Sequence, residues 1–68
     1  MDKTLLTSAI EIEERTFELE LAQASRLIEE MRSGRSKRHG AFNLAASASR
    51  LAESAGKIDI LSAIERSL

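Results

Sequence analysis

The chain has 68 residues, a net charge of −1 and no cysteine, which excludes disulfides, thiolate metal sites and a large core. A domain this short buries only ~60% of its unfolded surface, and its single histidine makes no metal site without several carboxylates arranged around it. The staple left to so small a chain is another protein surface, either a second copy or a different protein.

Helix is the only regular structure the composition favours. There is no proline and no valine, alanine, leucine, glutamate, arginine, serine and isoleucine dominate, and no apolar/polar alternation persists. A first helix is expected over residues 4 to 32. Ser8-Ala9-Ile10-Glu11 matches a capping box, with Asp2 or Thr4 as earlier caps. Gly34 suits the left-handed position just past the helix end. Residues 33 to 40 read SGRSKRHG and form the expected loop. A second helix follows over residues 41 to 67, with Gly56 either tolerated or breaking it to give a short third helix. The fold class is therefore all-α, a single-domain antiparallel helical hairpin with a closed three-helix bundle as the alternative.

Heptad spacing marks where the arms should meet. Phe17, Leu21, Ala24, Ile28 and Met31 recur at steps of 4 and 3, and so do Leu44, Ala48, Leu51, Ala55 and Ile58. Phe17, Leu21, Ile28, Leu44, Leu51 and Ile58 are the expected hairpin core, a coiled-coil seam. Ala41, Ala45, Ala48 and Ala52 form a small-residue row beside it, over which bulky groups must fit. Leu5, Ile12 and Leu19 form a separate stripe at steps of seven, well around the helix from Phe17. Ile60 and Ile64 point away from the second seam in a continuous helix. A helix apolar on two sides expects two neighbours and a hairpin supplies one, so these five residues are the candidate partner-binding surface.

Charge divides unevenly along the chain. Residues 1 to 31 carry eight acids and three bases, whereas residues 32 to 40 carry four bases and no acid. Arg35, Lys37 and Arg38 are thus candidate contacts for an anion. No aromatic residue interleaves with them, and a solvated turn complementing the first helix's carboxyl end explains them as well. Nucleic acid is accordingly disfavoured as a partner. Glu13 and Glu20 intrude on the apolar arc and invite pairing with Arg50 or Lys57 on the other arm. Nothing resembles a glycine-rich phosphate cradle, a nucleophile–base set or metal-ligand spacing, so the expectation is a non-enzymatic protein with no cofactor and no small-molecule substrate. No apolar run approaches the ~20 residues of a membrane span. Residues 1 to 10 lack the apolar segment of a signal peptide, and a cytoplasmic location is expected.

The run LIEEMRSG at residues 27 to 34, an aromatic at Phe42 and RLAESAGKIDILSAI at residues 50 to 64, in a chain this size, resemble the small helical-hairpin co-chaperones of type III secretion systems. That resemblance implies two helical arms packed on a larger chaperone, holding needle subunits in the cytoplasm. The reading from residues alone keeps other classes open. One is a self-associating four-helix-bundle homodimer that contacts RNA through its basic residues as a regulator. Another is an adaptor docking on an unrelated protein.

Overall fold

The computed structural model describes residues 2–35 and 37–68. They form two helices, α1 (Lys3–Arg32) and α2 (Lys37–Ser67), packed along their length as a hairpin 49 Å long. There is no strand among the described residues.

Asp2 starts α1: its carboxylate accepts the Thr4 amide at 2.9 Å, and its carbonyl accepts the Leu6 amide at 3.1 Å. Ser8, expected as a capping-box start, lies a turn and more inside the helix. The other end closes through a Schellman motif. The Arg35 amide reaches the Glu30 carbonyl and the Gly34 amide reaches the Met31 carbonyl, each at 3.1 Å. Gly34 holds φ +89°, a conformation in which a Cβ is strained.

The connection is shorter than the eight residues expected, because Lys37 to Gly40 already belong to α2. The two glycines of SGRSKRHG do different work. Gly34 turns the chain, while Gly40 is helical and buried under α1, where a Cβ would lie 2.6 Å from Met31 Cγ. Gly40 is therefore a contact-making glycine and not a loop residue.

Gly56 does not break α2. The helix runs through it, residues 57 to 67 continue the same rod, and no third helix forms. A Cβ on Gly56 would meet nothing within 4 Å. Gly56→Ala should therefore stabilise the protein by about 1 kcal/mol, the helix-propensity difference. A thermal melt showing no gain would place some neighbour against that side of α2.

The seam is turned from the expected one, keeping part of it. Along α1 the buried and half-buried positions include Leu6, Ile10, Glu13, Phe17, Glu20, Ala24, Leu27 and Met31. Along α2 they include Gly40, Leu44, Ser47, Leu51, Ser54, Ile58 and Leu61. Both series step by 4 and 3. Of the residues expected in the core, Phe17, Leu44, Leu51 and Ile58 are half-buried there. Leu21 and Ile28 are not core residues: they are 42% and 43% exposed. Ala48 is exposed as well, its expected place being taken by Ser47. Each arm is thus turned so that Glu20 and Leu27, instead of Leu21 and Ile28, face Ser47 and Gly40. The physical reason is the fit between acid and serine described next.

Candidate protein-binding site

Three cross-arm contacts set the antiparallel register. Ser54 Oγ donates to Glu13 Oε1 at 2.8 Å, and Thr7 Oγ1 donates to Glu65 Oε2 at 2.9 Å. Arg50 Nη2 lies 2.9 Å from Glu20 Oε1. Glu13 and Glu20 are one heptad apart on α1, and Ser54 and Ser47 are one heptad apart on α2. Each carboxylate therefore meets a small hydroxyl residue instead of another bulky side chain. Ser47 is fully buried and Ser54 nearly so. Arg50 also donates to Ser47 Oγ at 3.2 Å, which ties Glu20, Ser47 and Arg50 into one cluster. Interaction with the Arg50 guanidinium, and then with the Ser47 hydroxyl, lowers the Glu20 pKa from its ordinary value. The Glu20 side chain keeps 19% of its exposure and that of Arg50 keeps 56%, so the pair stands at the rim of the seam. Lys57 turns to Glu53 on its own helix at 3.5 Å.

Glu13, Glu20 and Ser54 line a shallow groove on one side of the hairpin, with Thr16 on α1 and Arg50, Glu53 and Lys57 on α2. It holds about 190 Å³, below the ~300–1,000 Å³ usual for small-molecule sites. No cluster of three or more potential metal ligands occurs among the described residues, and no helix is long and apolar enough to cross a membrane.

Apolar surface collects on the outer shoulder of the same side. Leu5 is 68% exposed, Ile12 59% and Leu19 74%. They occupy successive heptad positions on α1, turned about 130° from the centre of the seam at 100° per residue. In an antiparallel pair like flanks adjoin, and the groove confirms it by bringing Thr16 beside Arg50 and Lys57. The α2 positions on that flank include Ile60, 63% exposed, and half-buried Ile64. The antiparallel register sets both near the Leu5 end. The five sequence-predicted partner residues thus share one side of the molecule, concentrated away from the connection. The expected pairing of Glu13 and Glu20 with the other arm is met at Glu20, which reaches Arg50, but the sequence reading did not place the two acids in the seam itself. Their equal spacing with Ser54 and Ser47 was the signal for the true seam.

Arg35, Lys37 and Arg38 are exposed at the connection. Lys37 and Arg38 sit in the first turn of α2, where no acid offsets them and the helix dipole opposes positive charge. Replacing all three with serine should leave far-UV helicity unchanged, since exposed charges contribute little. Any nucleic-acid affinity should fall sharply. A wild-type chain that binds neither RNA nor DNA at low salt removes that ligand class.

No protein-family model, curated protein or solved structure matches the chain.

Proposed function

We propose that this chain is a non-enzymatic protein-binding module, a small cytoplasmic adaptor or co-chaperone. Its Leu5–Ile12–Leu19 shoulder docks on a larger protein of the kind the type III secretion resemblance implies: a larger chaperone or the secretion subunit it holds. The observation that carries this reading is the exposure of three large aliphatic residues at heptad spacing on one side, with Ile60 beside them. Each buried leucine or isoleucine gains about 1.5–3 kcal/mol over leaving it in water, and exposed apolar patches of this kind mark interaction sites. The adjoining groove offers Arg50, Lys57 and Glu53 as a polar rim.

The test is the double variant Ile12→Ser with Leu19→Ser, co-expressed with the products of neighbouring genes. The variant should lose the complex that the wild type forms while keeping its helicity, and hydrogen exchange in the wild-type complex should protect residues 5 to 19. An isolated double variant that unfolds would mean the shoulder supports the hairpin itself. A complex that survives both substitutions would place the partner elsewhere.

A further inference from the structure

On the flank opposite that shoulder, the apolar surface of the seam continues outward without a break. Leu21 and Ile28 sit just beyond the seam on α1 with two-fifths of their surface exposed. Ala41, Ala45, Ala48 and Ala52 are exposed on the adjoining flank of α2. An apolar arc wider than two positions per heptad is the pattern of a helix in a four-helix bundle, not of a lone pair.

The residues around Leu21 and Ile28 are self-complementary. At seven-residue steps along this flank of α1 stand Glu14, Leu21 and Ile28, with Arg35 beyond the helix end in the connection; one row further out stand Glu18, Ser25 and Arg32. Reversing the outer row about its middle exchanges Glu18 for Arg32, and reversing the inner one exchanges Leu21 for Ile28. A second copy laid on this flank in the opposite direction, with Ser25 near the two-fold axis, brings Leu21 onto the other copy's Ile28. It also brings Glu18 to Arg32 and Glu14 toward the basic connection that holds Arg35. A copy laid in the same direction would instead set the basic connection against itself and lay α1 on the other copy's α2, so that Leu21 and Ile28 no longer meet. The alanine row lets the two α2 backbones approach closely.

We infer that this chain forms a symmetric antiparallel dimer, a four-helix bundle closed through the Leu21–Ile28 flank. The register sets the size of the face. Centred on Ser25, the two copies overlap from about Glu14 to the connection, roughly 30 Å at 1.5 Å per residue out of a 49 Å hairpin, an interface toward the low end of specific ones. Few large aliphatic residues are buried within a single copy; Leu6, Ile10 and Leu27 are the ones among the described residues. The dimer uses the side away from Leu5, Ile12 and Leu19, so it stands independently of the proposed docking shoulder.

Sedimentation should give about twice the 7.5 kDa chain mass, and the association should weaken as salt rises. Glu14→Arg with Glu18→Arg should weaken it at least roughly tenfold through like-charge contacts. Adding Arg32→Glu and Arg35→Glu should restore it, a rescue that loss of folding does not imitate. Because the chain has no native cysteine, Ser25→Cys near the axis should oxidise to a disulfide dimer faster than Ile12→Cys on the other side. A wild type that stays monomeric into the millimolar range overturns the proposal. So does a charge swap without rescue, or faster crosslinking through position 12.

Discussion

Leu27→Asp should abolish the folded hairpin, whereas Ile28→Asp, one residue on, should leave it helical as a single copy. Leu27 is 7% exposed and faces α2 near Gly40, while Ile28 is 43% exposed. A carboxylate at position 27 loses the leucine's burial, about 1.5–3 kcal/mol, and adds the desolvation of an unpaired charge, for which the seam holds no spare cation. The sum reaches a large share of what so small a domain has to lose. At position 28 the carboxylate stays in water, and what it disturbs is the contact between copies. Circular dichroism melts at low concentration separate the two, since only the first variant loses helicity there. The reverse ranking would return Leu21 and Ile28 to the core.

That contrast also shows which part of the fold can be read from residue types. Both arms were legible, because isoleucine is the one strand former the chain offers in quantity and Gly34 closes α1 through the expected left-handed turn. Half of the seam was legible too: Phe17, Ala24 and Met31 on α1 and Leu44, Leu51 and Ile58 on α2 lie where apolar spacing puts them. The other half was not. An apolar count chooses Leu21 and Ile28 over Glu20 and Leu27, and Ala48 and Ala55 over Ser47 and Ser54. Only the cross-arm match of two glutamates with two serines at the same spacing points to the face that forms. Gly40 was misread as loop for a related reason, since a close approach to Met31 leaves no mark in local sequence. The Leu5–Ile12–Leu19 shoulder was legible because its spacing alone removes it from either seam.

The acid–serine match makes a second expectation that runs against apolar counting. Ser47→Leu adds hydrophobic volume at a seam position and, on composition alone, should strengthen the hairpin. Here it should weaken it. Ser47 has no exposed surface, so the larger side chain overpacks the seam at a cost of about 1–3 kcal/mol. It also removes the hydroxyl that helps hold the Glu20 carboxylate. For a domain of this length the melting temperature should drop by at least ~5 °C at neutral pH. The pH dependence gives the mechanism a separate readout. The folded-state pKa of Glu20 is lowered in the wild type, so its contribution is present above the unfolded carboxylate pKa and is lost as pH falls through the folded value. In Ser47→Leu, removal of the hydroxyl and closer apolar contact push that pKa back up, so acidification removes less stability from the variant than from the wild type. The gap between their melting temperatures should therefore narrow as the pH is lowered through the carboxylate range. A gap that stays constant would reduce the effect to packing alone, and a variant that melts higher than wild type would mean Ser47 does not face Glu20 across the seam.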